Sequence, residues 1–245
     1  MNETIDRVAA AAAAALDDYA VSRTMGAQPG RAPPAGARAI TADRTGYLQH
    51  VDIAALAQLC EDGGEIDVAR IPGAFVGMGE TLAYASAFDE ERAEEIRDAF
   101  IIGDRRSFRQ DPRFGLIVLS EIASRALSPA VNDPGTAIDV LASLARLLTR
   151  PVPEDVPKPV ASVHVPMLAP HSLLEDCIVP IARDGAAMIE VALRLQRTLA
   201  TIATNPRFAE AARDLAADSR ERALATLPHE IDRQRLRAAT AASDP

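Results

Sequence analysis

Proline pairs divide the centre of the chain into two helical segments. Asp111-Pro112 precedes a largely apolar stretch that runs to Leu127, and Ser128-Pro129 ends it. Asp133-Pro134 precedes the next apolar stretch. Aspartate caps helix N-termini well, proline suits the first helical position, and proline disfavours helical geometry in the residue before it. The pattern therefore predicts two helices joined by a five-residue connection, which is typical of an antiparallel helical hairpin.

The region before this hairpin alternates polar and apolar residues, as β-strands do. Residues 46–51, 65–71 and 81–84 alternate in this way, and residues 53–60 have the pattern of a short helix. A β unit of about 40 residues is small for an independent domain, so we expect this unit to be a barrel-like appendage. The predicted fold class is therefore α+β, with a small β-barrel-like unit followed by a mainly α-helical domain.

Proline density marks two linkers and divides the chain into five segments. Residues 17–45 contain a run rich in proline and glycine, and residues 151–170 contain six prolines with a short strand expected at 161–165. The predicted segments are an N-terminal helix and linker (1–45), the small β unit (46–88), the helical hairpin region (89–150), the proline-rich linker (151–170) and a C-terminal helical region (171–245).

No stretch of the sequence has the length and composition of a membrane-spanning helix. The longest run without a charged residue covers 16 residues, 159–174, and contains three prolines, whereas a spanning helix needs about 20 mostly apolar residues. The seven alanines Ala9–Ala15 predict a helix and not a secretory signal, because Glu3 and Asp6 outnumber Arg7 before them. The chain as given is therefore expected to be soluble.

The distribution of charge argues against nucleic acid as a partner. The net charge is −9, and 26 basic residues, all arginine except Lys158, are scattered among 35 acidic ones. A nucleic-acid surface would concentrate basic residues on one face. Cys60 and Cys177 are far apart in the sequence and are predicted to be free, buried thiols.

Motifs for cofactors and metals do not occur in the sequence. The four histidines lack the spacing of a zinc site, and no phosphate-loop, dinucleotide or nucleophile-elbow pattern is found. Residues 72–82 look like a turn of biotinyl- or lipoyl-type barrels, but such carriers need a lysine on a hairpin and Lys158 lies in the second linker. We therefore expect no cofactor and no metal.

Two stretches carry a resemblance to a known family. They read Asp-Pro-Arg-Phe-Gly at 111–115 and Arg-Ala-Leu-Ser-Pro-Ala-Val-Asn-Asp-Pro-Gly-Thr-Ala at 125–137. Together with residues 46–49 and 72–76, which look like the family's β segment, they resemble the bacterial predicted membrane proteins called domain of unknown function 2254. The resemblance covers most of the chain.

This resemblance implies a place at the bacterial inner membrane, with the soluble part expected on the cytoplasmic side. It implies no established reaction and no catalytic residues. Family members carry hydrophobic spans ahead of the soluble part, and this sequence contains none. We therefore expect either a shortened form or a natural soluble remnant, with membrane contact through an N-terminal region or a partner.

The hairpin connection is the first candidate site. Five polar residue types fall within 12 positions there and predict a small pocket for an ion or anionic ligand. Its residues are Arg125, Ser128, Asn132, Asp133 and Thr136. The alternative is structural, with Asp133 capping its helix and pairing with Arg125 while Asn132 ties the loop.

The second candidate is a group of arginines just before the hairpin. Arginine forks suit phosphate or carboxylate, and near a membrane they also meet anionic headgroups. The group comprises Arg105, Arg106 and Arg109, with Arg113 following. The alternative is a solvated face neutralised by upstream acids, namely Asp89, Glu90, Glu91, Glu94, Glu95, Asp98 and Asp104.

Two functional hypotheses follow from the sequence. The first is a non-catalytic module on the face of a bacterial inner membrane that binds an ion, a ligand or a partner and forms a homo-oligomer. The alternative is an uncharacterised, hydrolase-like enzyme that uses Arg125, Asn132 and Asp133.

Overall fold

Nine helices and eight strands make up most of the described chain, which comprises residues 2–61, 63–151 and 157–241 of a computed structural model. The helices are α1 (Asn2–Val21), α2 (Ile53–Leu59), α3 (Glu90–Asp98), α4 (Pro112–Ala126), α5 (Pro134–Leu148), α6 (Pro170–Asp184), α7 (Ile189–Ile202), α8 (Ala209–Thr226) and α9 (Glu230–Ala241). The strands are β1 (Ala27–Pro29), β2 (Arg38–Thr41), β3 (Gly46–Val51), β4 (Glu65–Val68), β5 (Phe75–Val76), β6 (Thr81–Ser86), β7 (Phe100–Gly103) and β8 (Val160–Val165).

These elements divide into two compact units. The helical unit comprises residues 1–13, 115–151 and 169–245, and the sheet unit comprises residues 14–114 and 152–168. The sheet unit contains all eight strands together with α2 and α3. Both units are therefore assembled from segments that are distant in the sequence.

The predicted barrel-like unit is wrong, because the strands form two open sheets. One sheet has five strands in the order β1-β8-β4-β6-β2, and the other has three in the order β5-β3-β7. The prediction placed the β unit at 46–88, whereas β1 and β2 precede that range and β7 and β8 follow it. The extra strands extend the sheets sideways and leave them open. The coarser part of the prediction, a mixture of helices and strands, is confirmed.

Strand β8 lies inside the segment predicted as a proline-rich linker. The expected short strand at 161–165 is confirmed, and it pairs in parallel with both β1 and β4. Val163 and Val165 are fully buried in the core of the sheet unit. A segment distant in sequence thus supplies an inner strand of the larger sheet.

The core of the sheet unit is built from the apolar residues of each alternating strand. Leu48, Ile66 and Leu82 are fully buried there, and Leu56 of α2 packs into the same cluster. Burying such a side chain contributes about 1.5–3 kcal/mol relative to leaving it in water. Alternation identifies the residues of this core only in part, because the consecutive Ile66, Asp67 and Val68 are all buried.

The helical unit is organised around α7 and α8. Helix α7 packs against both α5 and α8, and α6 packs against α8. Both helices of the predicted hairpin form, but within the described chain α4 is not a main packing partner of α5. The proline pairs therefore locate the helix boundaries, whereas packing with α7 determines where α5 lies.

Two helices end where the following residues cannot continue them. Helix α3 ends at Asp98, and the next residues form β7. Helix α8 ends at Thr226, and α9 begins at Glu230. Pro228 lies between them and disfavours helical geometry in the residue before it.

Two further sequence predictions concern thiols and membrane spans. Cys60 and Cys177 are free and buried, as predicted. Burial raises the pKa of both thiols above the ordinary value. Among the described residues, none of the helices combines the length and the apolar character that crossing a bilayer requires.

Helices α1 and α4 approach closely where Gly115 meets Ala12. A Cβ atom on Gly115 would lie 2.4 Å from the Cβ of Ala12. We expect Gly115→Ala to lower the free energy of unfolding by about 1–3 kcal/mol, because overpacking outweighs the better helix propensity of alanine. Urea denaturation measures the change. The control is Gly135→Ala in α5, where the nearest atom is Asp133 Oδ1 at 3.2 Å, and a Gly115 variant no less stable than this control would contradict the prediction.

Candidate functional site

Asp133 in the hairpin connection caps its own helix. Its Oδ1 accepts a hydrogen bond from the backbone N of Thr136 at 3.1 Å, and its Oδ2 accepts one from Thr136 Oγ1 at 2.6 Å. These two bonds lower the pKa of the Asp133 carboxyl below its ordinary value. Both oxygens of this carboxylate are therefore used within one helical turn, which is the expected geometry of an N-cap.

The other residues of the predicted pocket also make local bonds. Ser128 Oγ donates to the backbone oxygen of Arg125 at 2.7 Å, and the N–H of Asn132 donates to the backbone oxygen of Ser128 at 2.8 Å. Asn132 has φ 47°, a left-handed conformation that asparagine tolerates better than most residues. The side chain of Arg125 is exposed, and no ion pair links it to Asp133 in the described part of the chain. Ligand binding by this group stays a prediction.

The second Asp-Pro pair has a different environment. The side chain of Asp111 is 1% exposed, and Arg106 donates to its Oδ2 from Nε at 2.8 Å and from Nη2 at 2.6 Å. The backbone N–H groups of Arg113 and Phe114 donate to its Oδ1 at 3.1 and 3.2 Å. Burial raises the pKa of the Asp111 carboxyl above its ordinary value, while the Arg106 guanidinium acts in the opposite direction. This ion pair also caps the start of α4.

A glycine turn from the β segment packs directly against this ion pair. Gly73 has φ 95°, and a Cβ there would lie 2.4 Å from Asp111 Oδ2 and 2.8 Å from Arg106 Nη2. The guanidinium of Arg106 also stacks over the Phe114 ring, 5.3 Å from its centroid. Two sequence stretches that carried the family resemblance, 72–76 and 111–115, therefore meet at the Arg106–Asp111 ion pair.

The remaining arginines of this loop differ from Arg106 in their surroundings. Arg105 and Arg109 are exposed, and neither forms an ion pair in the described residues. Gln49 fixes the loop at one end by donating from its side-chain nitrogen to the backbone oxygen of Arg105. At the other end, the side chain of Gln110 exchanges two hydrogen bonds with the backbone of Val51. A fixed loop thus presents two unneutralised guanidinium groups.

Exposed apolar side chains lie on the three-stranded sheet beside this loop. Phe75 is 60% exposed and packs edge-on against Tyr47, with 5.1 Å between ring centroids. Tyr47 pairs with both Phe75 and Gly103, and Ile101, which is 51% exposed, is two residues before Gly103 on the same strand. Because side chains two apart on a strand share a face, Phe75, Tyr47 and Ile101 lie on one outer face of this sheet.

A third group of polar side chains lies on the five-stranded sheet. Asp67 of β4 and His164 of β8 are direct neighbours in the parallel pairing, and they are only 4% and 9% exposed. Arg31, just after β1, donates from Nε to Asp67 Oδ1 at 2.9 Å and from Nη2 to Glu65. This second bond lowers the pKa of the Glu65 carboxyl.

Two buried atoms of this group lack a hydrogen-bond partner within the described chain. They are Asp67 Oδ2 and His164 Nδ1. His164 Nδ1 lies 3.6 Å from Asp67 Oδ1, which is too long for a hydrogen bond. The two side chains line a cleft of about 280 Å³ together with Gly30, Arg31, Val68, Pro166 and Met167.

Sequence reasoning missed this third group for a physical reason. Asp67 and His164 are far apart in the sequence and become neighbours only through the pairing of β4 with β8. The alternation at 65–71 assigns Asp67 to the polar face of its strand, so no pattern in the sequence marks its burial.

The fold and these side chains define a mixed α/β protein of two compact units with clusters of polar side chains. Residues 1–201 match the family described as "Predicted membrane protein (DUF2254)", and the chain belongs to this family. The resemblance inferred from the sequence is confirmed.

The curated relatives are uncharacterised mycobacterial proteins. Mb1321c of Mycobacterium bovis and Rv1290c of Mycobacterium tuberculosis are each 35% identical over 140 residues. The match covers 51% of this chain and 26% of each relative, so it spans about a quarter of their length. No solved structure matches the chain.

The packing of Gly73 against the ion pair is testable with a matched glycine. Gly36 also has a positive φ, 82°, but nothing lies within 4 Å of a Cβ placed on it. Alanine costs backbone strain of about 1–2 kcal/mol at either position. We expect Gly73→Ala to cost at least about 1 kcal/mol more than Gly36→Ala, because it also displaces the ion pair. Equal losses of unfolding free energy in urea would show that the turn does not press on Asp111.

The aspartates at the starts of α4 and α5 differ in burial. Replacing each of them should therefore lower the free energy of unfolding by a different amount. Asp111→Ala leaves Arg106 without its partner in a largely buried position and should lower the free energy of unfolding by about 3 kcal/mol. Asp133→Ala removes only a half-buried cap and should cost clearly less. Chemical denaturation of both variants measures the order, and a larger loss at Asp133 would contradict this interpretation.

Proposed function

We propose that this chain is a non-catalytic interaction module that contacts the anionic surface of a bacterial inner membrane from the cytoplasmic side. The observation that carries this proposal is the contrast among neighbouring arginines. Arg106 is neutralised by Asp111, whereas Arg105 and Arg109 are exposed without an ion pair in the described chain. Guanidinium groups bind phosphate oxygens through paired hydrogen bonds.

The apolar face beside the loop supports a lipid surface as the source of these phosphates. Phe75 and Ile101 are large, exposed and on the same face of the three-stranded sheet. Aromatic and aliphatic side chains of this kind bury themselves at the boundary between headgroups and acyl chains. A free phosphate would use the arginines alone, whereas a membrane uses both features.

The overall charge of the chain limits how strongly it binds. A net charge of −9 repels an anionic surface, so attraction depends on the local arginines. Each basic residue near such a surface contributes about 1 kcal/mol, and salt screens this contribution. The proposal therefore describes weak, salt-sensitive contact by a module whose family is predicted to be membrane-associated. Self-association of the module is a further part of the proposal.

Vesicle co-sedimentation tests this function. The chain should bind phosphatidylglycerol-rich vesicles at low salt, bind them less at high salt, and bind pure phosphatidylcholine vesicles poorly. The double variant Arg105→Gln/Arg109→Gln should lower the partition coefficient roughly tenfold to thirtyfold, since two charges of about 1 kcal/mol each are lost.

A second double variant serves as a control with the same change in net charge. Arg213 and Arg220 of α8 are exposed and have no ion pair in the described residues. Arg213→Gln/Arg220→Gln should change partitioning by less than about twofold if only the local charges matter. Equal losses in the two double variants would show that net charge alone governs binding, and the proposal would then be wrong.

A further inference from the structure

We propose that a cleft lined by residues of β4 and β8, and by the residues that follow β1 and β8, binds a small organic amine through Asp67 and His164. This site is separate from the exposed arginines and does not depend on membrane contact. It rests on a carboxylate oxygen and an imidazole nitrogen that have no hydrogen-bond partner in the described residues and belong to side chains lining one cleft.

The hydrogen-bonding capacity of these atoms defines the group that fits them. Asp67 Oδ1 already accepts from Arg31, so its Oδ2 is left to accept from a ligand. An ionised carboxylate only accepts hydrogen bonds, and a neutral imidazole has one accepting nitrogen. A buried polar atom that lacks its bond costs about 1–3 kcal/mol. An ammonium group carries only donors, so it matches the accepting capacity that the carboxylate and a neutral imidazole leave unused.

The charge around the cleft also favours a cation. Glu65 and Asp67 carry two negative charges, and Arg31 compensates only one of them. With a neutral imidazole the group therefore has a net charge of about −1. A protonated amine restores neutrality, whereas a carboxylate or phosphate ligand would increase the negative charge near a carboxylate that is 4% exposed.

The walls and volume of the cleft suit a short organic body. Val68, Pro166 and Met167 also line the cleft and provide apolar surface. The volume of about 280 Å³ lies just below the usual range for small-molecule sites, about 300–1,000 Å³. The ligand class is therefore a primary amine with a short apolar chain.

A metal ion fits this group less well. The described residues contain no set of three or more His, Cys, Asp or Glu side chains placed to hold a metal. Arg31 donates to Asp67 at 2.9 Å, so a metal ion bound to that carboxylate would lie close to a guanidinium charge. An organic cation needs only hydrogen bonds and tolerates this arrangement.

Three compounds with the same carbon chain separate the possible ligand classes. n-Butylammonium, n-butanol and n-butyrate differ only in the head group, and Zn²⁺ is added as a fourth probe. Imidazole ¹H–¹⁵N correlation spectra of the intact chain report binding at His164, at mildly alkaline pH where an unperturbed imidazole is neutral. His50, His171 and His229 lie outside the cleft and provide internal controls in the same spectrum.

We expect n-butylammonium to shift the His164 signals in a saturable way at millimolar concentration, as befits so small a ligand. Asp67→Asn should weaken this binding at least about tenfold, since it removes the compensating charge. Met167→Arg should weaken it similarly by adding a positive charge at the wall, without altering the ion pair. Ile231→Arg adds the same charge on an exposed part of α9 and should leave the binding unchanged.

Each other result overturns the proposal. Equal shifts with n-butanol would show that any hydrogen-bond donor suffices, and binding of n-butyrate would identify an anion site. A response to Zn²⁺ alone would identify a metal site, and no response at His164 would show that the cleft binds none of these ligands. If Asp67→Asn fails to fold, the comparison of Met167→Arg with Ile231→Arg decides the outcome.

Discussion

The loop and the turn next to the proposed membrane contact both depend on the ion pair between Arg106 and Asp111. The Asp111 carboxylate is nearly inaccessible to water, and both of its oxygens are used, one by Arg106 and the other by the first backbone N–H groups of α4. Gly73 must remain a glycine for the turn of the β segment to reach it. One carboxylate thus fixes a helix start, a turn and the base of the loop that presents Arg105 and Arg109.

The same Asp-Pro pair serves two different purposes in this chain. At Asp133 the carboxylate is bonded within its own helical turn, and its pKa is lowered by those bonds. At Asp111 burial raises the pKa, and an arginine from outside the helix compensates the charge. The local sequence specifies the cap in both cases. Tertiary burial decides whether the cap is also a structural ion pair, and the two-residue motif carries no information about burial.

The sequence predicts the features that depend on local interactions and misses those that depend on long-range pairing. The starts of α4 and α5, the strands β3, β4 and β6 and the strand β8 depend on local propensity and alternation, and they were predicted close to their observed bounds. The insertion of β8 between β1 and β4 depends on long-range pairing, which neither composition nor periodicity records. The barrel prediction failed for that reason, and the neighbourhood of Asp67 and His164 was missed for the same reason.

Both proposed sites contain charges or hydrogen-bonding atoms that the fold leaves without a partner. In the loop, Arg106 forms an ion pair with Asp111, while the side chains of Arg105 and Arg109 are exposed. In the cleft, Asp67 Oδ1 accepts a hydrogen bond from Arg31, while Oδ2 has no hydrogen-bond partner in the described chain. In the cleft, the bond from Arg31 fixes the carboxylate and with it the oxygen that has no hydrogen-bond partner. In the loop, the bonds made by Arg106, Gln49 and Gln110 fix the backbone that carries the two exposed arginines. Because a group that is already held in place loses less entropy when a ligand arrives, the Asp67 carboxylate gains more from its surroundings than the mobile guanidinium groups do.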